Sequence, residues 1–385
     1  MRMSNELFAP FVKQEDAAYL DAAPASGRFA KNEGYLLLAW RKFRRSITGM
    51  IGLTLVTLLL LMTIFADFVV PSDPKEPTLA FAPPDPISFF NKDGFTLRPQ
   101  TFAVKESGEL DPVTFQPLNG PDYDHPRPIK FFIQGYAYNA LGLIPSTTHL
   151  FGTDDGQPFH ILGTDKFGRD IFSRGIIGSR ISLTIALVTV TFITIVGTLV
   201  GLTSGYFGGA FDRWSQRVVD IFFALPQLPL YLALAALIPV TAPSSVFLAF
   251  VVCVMAALNW AQLSREVRGK TLALARIEYV RAAEAVGVTD RRIILRHILP
   301  NVISHVIVSI TTWIPQIVLV ESFLGFLGFA VKPPLISWGM MLQDCANFSV
   351  LGSYPWILSP VAFVLITVFS FNALGDGLRD AVDPY

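Results

Sequence analysis

The stretch LGTDKFGRD nearly matches a nucleotide-binding phosphate loop. Gly163 and Gly168 have the glycine spacing of that motif, but Arg169 and Asp170 occupy the positions of its lysine and its hydroxyl residue. The lysine contacts the β- and γ-phosphates and the hydroxyl binds Mg²⁺, whereas a carboxylate at that position repels phosphate. A phosphate loop must also follow a buried strand and begin a helix, so the surrounding elements decide whether this match has meaning.

Other side chains with catalytic or metal-binding chemistry are few and scattered. Neither HExxH nor GxSxG occurs, and the histidines show no spacing typical of metal ligands. Cys253 lies within an apolar run and Cys345 has no evident partner, which predicts two unpaired thiols. We therefore predict no catalytic residue, no metal site and no cofactor bound by this chain. The histidines are His125, His149, His160, His297 and His305.

The segment EYVRAAEAVGVTDRRIILRHILPN has the pattern of two helices joined by a tight turn. An alanine-rich helix is predicted over Tyr279–Val286. Gly287 is placed to end it in the left-handed conformation, with Val288 as the apolar residue beyond the cap. Thr289 is predicted to cap a second helix, and Pro300 marks the entry to the next apolar run.

One function that fits this shape is DNA reading. A DNA-binding helix-turn-helix has a glycine-containing turn and a basic second helix, which Arg291, Arg292 and Arg296 would provide. Both ends of this helix-turn-helix unit, however, are joined to apolar runs by very short linkers. A unit held in this way cannot readily enter a major groove, so we expect no nucleic-acid partner.

The other function is docking to a protein partner. Ala282, Ala283 and Ala285 make a thin helix that fits a cleft, and the surrounding arginines suit acidic groups on the partner. A loop that merely connected two apolar runs would need neither this length nor these caps. The pattern therefore favours a short helical segment that docks into a cleft of a partner protein.

The composition indicates what kind of elements flank this helix-turn-helix segment. Of the 385 residues, 52% are hydrophobic and 16% are charged, which predicts a polytopic membrane protein. A bilayer is crossed by about twenty apolar residues, and the sequence offers six runs of roughly that length. The predicted spans are Ile47–Ala66, Ile181–Ser204, Val218–Val240, Ser244–Leu263, Val302–Val320 and Trp356–Leu374.

The positions of Lys and Arg predict the orientation of these spans. Basic residues precede the first span and crowd the loop between the fourth and fifth, so both segments are expected in the cytoplasm. Six crossings then place both termini in the cytoplasm and residues 71–180 on the far side. The LGTDKFGRD stretch falls on that far side, where no cytosolic ATP is available, so its match to a phosphate loop is interpreted as coincidence.

The predicted organisation has four parts. Residues 1–46 form a cytoplasmic N-terminal segment and residues 47–70 the first transmembrane helix. Residues 71–180 form an extracytoplasmic insertion, and residues 181–385 form a five-helix core with a cytoplasmic loop at 264–301.

The insertion contains fourteen of the twenty-seven prolines and shows weak periodicity. These features predict an irregular cover over the helix ends with a few short strands, such as Lys130–Ile133 and Phe159–Leu162. Contact with a partner or substrate is an alternative role for this segment.

Two features of the spans bear on function. Gly197, Gly201 and Gly205 are spaced four apart, which lets a neighbouring helix approach closely inside the bundle or at a subunit interface. Ionisable side chains are nearly absent from the spans, with Asp67 and Glu321 expected at their exits. Proton- and ion-coupled carriers need such groups near the midplane, so this pattern argues against a secondary transporter.

These residues together resemble a known family. RAAEAVG followed by a segment ending in ILPN resembles the EAA loop of ATP-binding cassette importer permeases, E-A-A-x-x-x-G-x(9)-I-x-L-P. Arg281 replaces the consensus Glu and His297 the consensus Ile, which resembles the dipeptide, oligopeptide and nickel branch. LGTDKFGRDIFSRGIIGSRISL, GYFGGAFDRWSQRVVDIFFALPQLPL, ESFLGFLGFAVKPPLISWGMMLQD and GDGLRDAVDP resemble other segments of the C-type subunit of that branch.

The resemblance implies a fold, partners and a site. The fold would be an all-α polytopic one, the six-helix type I importer permease fold, in a bacterial inner membrane. Partners would be a second homologous permease, two ATPase subunits that bind ATP and Mg²⁺, an extracytoplasmic substrate-binding protein and the lipid bilayer. The residues implied to couple to an ATPase are Tyr279, Arg281, Ala282, Ala283, Glu284, Gly287, Val288, Arg291, Arg292, Leu299 and Pro300.

The substrate stays open at this point. Di- or oligopeptides are expected first, with oligosaccharides and nickel complexes as alternatives within the same branch. A membrane channel or scaffold that works without an ATPase is an alternative of another class.

Overall fold

The computed structural model describes residues 35–91, 94–110, 117–140, 142–239, 241–329 and 331–382. Residues 1–34 of the predicted N-terminal segment 1–46 lie outside the described residues. Val240, the last residue of the predicted third span, and residues 383–385 also lie outside them.

Helices form most of the described chain. They are α1 (Tyr35–Phe43), α2 (Ile47–Ile64), α3 (Ala66–Val69), α4 (Ile171–Phe207), α5 (Gly209–Ala224), α6 (Gln227–Ala235), α7 (Ser244–Leu274), α8 (Glu278–Ala285), α9 (Asp290–Ile293), α10 (Leu299–Phe326), α11 (Trp338–Leu342), α12 (Phe348–Ser353) and α13 (Pro360–Val382).

Five helices among the described residues are long and apolar enough to cross a bilayer. They are α2, α4, α7, the continuous helix Asp290–Phe326 and the segment Pro355–Val382. Their positions confirm the first, second, fourth, fifth and sixth predicted spans. The bundle has two ends, which we name by the segments that lie there. The insertion end holds the segment between α3 and α4, and the loop end holds α8 and α9.

The third predicted span is not one straight helix. Helices α5 and α6 meet at an angle of 80° around Leu225 and Pro226, and only the two together pass as a sixth candidate span. Proline lacks the amide proton that a helix interior needs and its ring clashes with the preceding turn. The predicted Val218–Val240 span is therefore a bent pair of helices, a break that hydropathy alone does not register.

The glycines at 197, 201 and 205 face α7. A Cβ atom at Gly201 would lie 2.6 Å from the Ser264 carbonyl oxygen and 2.7 Å from Val267 Cβ. A Cβ atom at Gly205 would lie 2.8 Å from Thr271 Cβ. The three glycines thus let α4 and α7 pack backbone to backbone inside this chain. Of the two predicted locations, the bundle interior and a subunit interface, the structure shows the bundle interior.

The fifth span is joined to the helix before it without a break. Residues Ile294–Ile298 form a π-helical turn between α9 and α10, and Pro300 is in the first turn of α10. A proline at that place cannot donate to the carbonyl four residues earlier, and a wider turn accommodates its ring. Pro300 therefore marks a local widening of one long helix and not the start of a separate one.

The insertion is built from strands, so the prediction of an irregular segment was wrong. Strands β1 (Ile87–Asn91), β2 (Gly94–Thr101), β5 (Arg127–Ala140) and β6 (Ile144–Thr153) form an antiparallel sheet in the order β1-β2-β5-β6. Strands β3 (Val104–Leu110) and β4 (Pro117–Pro121) pair as a separate hairpin.

Strand β5 confirms the predicted strand at Lys130–Ile133, whereas Phe159–Leu162 is not a strand. The prolines concealed the sheet because they lie where a strand tolerates them, for example Pro117 at the first position of β4 and Pro145 on the edge strand β6. Arg127 holds β5 in place. Its buried guanidinium donates to both carboxylate oxygens of Asp155, at 2.5 and 3.0 Å, and to the Pro158 carbonyl.

Candidate functional site

The segment 278–301, called the helical loop below, contains the predicted turn. The φ angle of Gly287 is +80°, in the left-handed region. The amide of Gly287 donates to the Glu284 carbonyl at 2.9 Å, and the amide of Val288 donates to the Ala283 carbonyl at 3.1 Å. These two bonds form a Schellman motif, which satisfies the last carbonyl groups of α8. Gly287 and Val288 therefore occupy the positions that the sequence predicts.

The second helix begins differently from the prediction. Thr289 has the extended backbone of an N-cap residue, but its side chain makes no capping hydrogen bond. The next residue, Asp290, instead accepts a hydrogen bond of 2.9 Å from the hydroxyl of Tyr206 at the end of α4. The start of this helix is thus fixed by a contact with another span, which a local pattern cannot reveal.

The inner face of the helical loop is apolar and buried. Val280 and Ile293 are fully buried and belong to the main hydrophobic core, as does Ile298. Ala283, Val288 and Leu299 are partly buried and pack against the same core.

Ala283 lies one helical turn from Val280 and therefore faces inward, although the sequence grouped it with the alanines that contact a partner. At this position a small side chain lets α8 lie close to the bundle. Its neighbour Ala282 projects from the protein.

The outer face of the helical loop combines small apolar side chains with arginines. Ala282, Ala285 and Glu284 are exposed, and the side chain of Val286 at the tip is 80% exposed. Sequence reasoning did not select Val286, although its place directly before the turn glycine is a usable signal. The exposed arginines are Arg281, Arg291, Arg292 and Arg296.

None of these four arginines makes an ion pair within the part of the chain that the structure describes. Three of them line a shallow cavity of about 280 Å³ together with Thr289 and Leu295. Leu295 is 52% exposed and was not predicted as a site residue. The surface therefore presents unneutralised guanidinium groups around an exposed leucine, which suits acidic and apolar groups on a partner.

Tyr279 connects the two helices of the loop. The amide of Asn301 donates to the His297 carbonyl at 2.7 Å and to the Tyr279 hydroxyl at 3.3 Å. The rings of Tyr279 and His297 lie 6.2 Å apart. Tyr279 thus packs against the widened turn before Pro300 and fixes the angle between α8 and the long helix.

The neighbouring helix α5 is held at the same end of the bundle. Arg268 donates two hydrogen bonds of 2.6 Å to the carboxylate of Asp212, which also accepts one from the hydroxyl of Ser204. A bidentate pair of this kind fixes both distance and orientation. The loop ends of α4, α5 and α7 are therefore joined through side chains.

The LGTDKFGRD stretch folds as a closed turn. Gly163 and Gly168 both have φ near +74°, but the carboxylate of Asp165 accepts the amides of Phe167 and Arg169, at 2.8 and 3.1 Å. Asp170 caps α4 by accepting the Ser173 amide at 2.6 Å. The amides that a phosphate would need are thus bonded to a carboxylate, which agrees with interpreting the motif as coincidence.

The histidines and the other titratable side chains of the described residues are dispersed. Among the described residues no group of three or more His, Cys, Asp or Glu side chains is placed to hold a metal ion. His149 is buried against the Tyr136 carbonyl, and His160 lies 3.0 Å from the carboxylate of Asp170.

Glu321, expected at the exit of a span, lies in the last two turns of α10, where its side chain is buried. There it accepts a hydrogen bond of 3.1 Å from the hydroxyl of Ser182. Ser182 also accepts the Trp338 amide, so this carboxylate helps to join α4, α10 and α11 at the insertion end.

Comparison with known families gives two matches. Residues 197–385 match the family described as binding-protein-dependent transport system inner membrane component. Residues 34–84 match the N-terminal TM domain of oligopeptide transport permease C. Most of the insertion, including all six strands, lies between the two matched regions.

The individual relatives are all named as permease proteins of transport systems. The oligopeptide transport system permease protein OppC of Bacillus subtilis is 38% identical over 241 residues, which is 62% of this chain and 76% of the relative. The dipeptide transport system permease protein DppC of Alkalihalophilus pseudofirmus is 39% identical over 241 residues, 62% of this chain and 73% of the relative. The glutathione transport system permease protein GsiD of Pectobacterium atrosepticum is 38% identical over 225 residues, 58% and 72% respectively.

Proposed function

Because the chain belongs to the family of binding-protein-dependent transport system inner membrane components, we propose that it forms half of the pore of an ATP-driven peptide importer. Members of this family are transport permeases and not enzymes, and they work with ATPase and substrate-binding proteins. We further propose that the helical loop is the surface through which an ATPase subunit drives this chain.

The observation that carries this proposal is the two-sided construction of the helical loop. Its inner face is buried in the bundle through Val280 and Ile293, whereas Ala282 and Val286 project from it. A thin, capped helix with an apolar tip and unpaired arginines is suited to enter a cleft with an acidic rim. A loop that only connected two spans would not need exposed apolar side chains at its tip.

The same construction supports mechanical coupling. The helix from Asp290 to Phe326 is continuous, so a displacement of the loop moves the fifth span as a rigid body. Tyr206 carries the displacement to the second span through its bond to Asp290. Closure of the ATPase subunits on ATP would push the loop and switch the helix bundle from one packing arrangement to another. The energy of ATP hydrolysis would thus reach this chain through contact with the ATPase subunit.

The assembly implied is a pair of homologous permeases, two ATPase subunits and an extracytoplasmic binding protein in the inner membrane. Both termini would be cytoplasmic, with the insertion on the far side. ATP and Mg²⁺ would be bound by the ATPase subunits. The buried stripe at Gly201 packs within this chain, so the contact with a second permease must use another surface.

Peptides are the proposed substrate class. The relatives are named for oligopeptide, dipeptide and glutathione transport, and these substrates share a peptide backbone. Oligosaccharides and nickel complexes stay as alternatives, because the pore wall of such an importer needs little selectivity when a binding protein selects the substrate.

A co-purification experiment tests the coupling proposal. The full-length chain is solubilised and purified by affinity, and ATPase activity in the eluate is compared among wild type, Ala282→Arg and the control Ala273→Arg. Ala273 is an exposed alanine of α7 outside the helical loop. We expect ATPase subunits and activity with the wild type and the control, and their loss with Ala282→Arg at an unchanged melting temperature.

Full ATPase recovery and full peptide uptake with Ala282→Arg would overturn the docking proposal. A wild-type eluate that is stable but contains no ATPase subunit would favour the channel or scaffold alternative.

A further inference from the structure

The hairpin formed by β5 and β6 lacks charge over an unusual length. From Phe131 to Phe151 the sequence contains no Asp, Glu, Lys or Arg. The first charged residues on either side are Lys130 and Asp154, which form an ion pair with each other. In an average soluble domain about one residue in four is charged, so a solvated hairpin of this length should have several charged residues.

The apolar side chains of this hairpin are exposed. The exposed fractions of Phe131, Phe132 and Leu143 are 69%, 68% and 85%, and that of Ile144 is 62%. Phe131 and Phe132 lie near the base of the hairpin and Leu143 and Ile144 at its tip, since β5 and β6 pair Phe131 with Phe151 and Ala140 with Ile144. Exposed large apolar groups mark a contact with another molecule or with a membrane.

The position of Phe132 shows which of these contacts applies. Its ring lies 6.3 Å from the ring of Phe68, which is four residues beyond Ile64, the last residue of α2. Arg180 bonds the carbonyl oxygens of Thr63 and Ile64, at 3.0 and 3.1 Å, and so marks the polar end of this span. The interfacial layer on each side of a hydrocarbon core is about 5–8 Å thick. Phe132 therefore lies at interfacial depth.

The exposed apolar surface of α2 ends close to Phe132, beside the ion pair between Arg180 and Asp67. Most of the surface of α2 is exposed within this chain, and this helix is long and apolar enough to cross a bilayer. Leu61, Ile64 and Phe65 are each close to half exposed, and Phe65 leads through Phe68 to the ring of Phe132. The base of the hairpin thus lies beside the exposed apolar surface of the first candidate span.

The backbone of the hairpin limits how deep it can lie. Strand β6 is an edge strand of the sheet, so it has unpaired amide and carbonyl groups along one side. Such groups are not tolerated in hydrocarbon but are hydrated among headgroups. Aromatic side chains are enriched at that depth for the same reason.

We propose that the β5–β6 hairpin rests in the interfacial region of the bilayer leaflet at the insertion end, with Phe131, Phe132, Leu143 and Ile144 in contact with phospholipid. It anchors the insertion to the membrane beside the first span. This inference concerns the side of the molecule away from the helical loop and does not depend on ATPase coupling.

Depth-dependent fluorescence quenching tests the proposal. Phe132→Cys is made in a Cys253→Ser background, labelled with bimane and placed in nanodiscs of phosphatidylcholine and phosphatidylglycerol as the full-length chain with its co-purifying subunits. The nanodiscs contain lipids with a nitroxide at the headgroup, at a shallow acyl carbon or at a deep acyl carbon. The control is Tyr123→Cys, an exposed position near Asp122 and Asp124 in the same insertion.

We expect headgroup and shallow nitroxides to reduce the fluorescence at position 132, with little loss from the deep nitroxide and none at position 123. Leu143→Cys gives the same measurement if Phe132→Cys fails to fold. Unquenched fluorescence at the hairpin position in labelled-lipid nanodiscs would overturn the proposal. It would also be overturned if added binding protein or a second subunit abolished the quenching, since a protein would then be the occupant.

Discussion

The hydroxyl of Tyr206 donates a hydrogen bond of 2.9 Å to Asp290 across 84 residues of sequence. Tyr206 is at the end of the second span, and Asp290 is in the first turn of the helix that becomes the fifth span. The turn at Gly287 is thus held between two spans, and a force applied to the loop reaches both.

Removing this hydrogen bond should loosen the helical loop. We predict that Tyr206→Phe costs about 1 kcal/mol locally, so amides of residues 278–292 exchange roughly fivefold faster. Hydrogen exchange followed by mass spectrometry measures this, with Tyr123→Phe in the insertion as the control. Equal exchange in both variants would show that the bond does not restrain the loop.

Gly287 should tolerate other residues according to their backbone preference alone. A Cβ atom there meets nothing within 4 Å, so the cost of Gly287→Ala is the left-handed conformation, about 1–2 kcal/mol. Peptide uptake at equal membrane levels should fall in the order Gly, Asn, Ala, Val. Gly269→Ala in α7, which also meets open space but has an ordinary φ, should leave uptake unchanged. Equal uptake by Gly287→Val and wild type would contradict this prediction.

The unpaired arginines should contribute charge to ATPase binding. We predict that Arg291→Glu combined with Arg292→Glu weakens ATPase co-purification at least about tenfold, or about 1.4 kcal/mol, because acidic partner groups would then face like charge. Titration of the solubilised chain with the ATPase subunits at several salt concentrations measures this. Arg217→Glu on α5 is the control, an exposed arginine of the same end of the bundle. Unchanged affinity and salt dependence in the double variant would remove these arginines from the docking surface.

Gly201 should not accept a side chain. Leucine there would press on the Ser264 carbonyl and Val267, and such overpacking costs about 1–3 kcal/mol. The melting temperature of Gly201→Leu in detergent should fall, whereas Val196→Leu on the exposed side of the same helix should leave it unchanged. A melting temperature equal to that of wild type would mean that α4 and α7 can separate without loss.

Arg127 should hold the sheet of the insertion. Arg127→Met removes the guanidinium donor from the carboxylate of Asp155 and from the Pro158 carbonyl, at a cost of about 2–3 kcal/mol. Limited proteolysis should then cut within residues 71–160 while the helical core resists. Lys130→Met breaks only an exposed pair with Asp154 and should cost less than about 1 kcal/mol. Similar proteolysis of the two variants would show that the burial of Arg127 has no special effect.

Hydropathy and local pattern predicted much of this protein. The apolar runs predicted five of the spans because a bilayer requires about twenty apolar residues whatever surrounds them. The turn at Gly287 and Val288 was equally accessible, since its hydrogen bonds join residues at most five positions apart. Both results depend on forces that act within a short segment.

The sequence by itself therefore determined the membrane class, most of the spans and the helix-turn-helix form of the loop. Only the tertiary structure decided that Ala283 faces inward while Ala282 projects, that Asp290 is held by Tyr206, and that α5 and α6 meet at 80°. It also decided the sheet of the insertion, where Thr101 pairs with Arg127. These features depend on contacts between residues far apart in the chain, and their free energy is not encoded in any single segment.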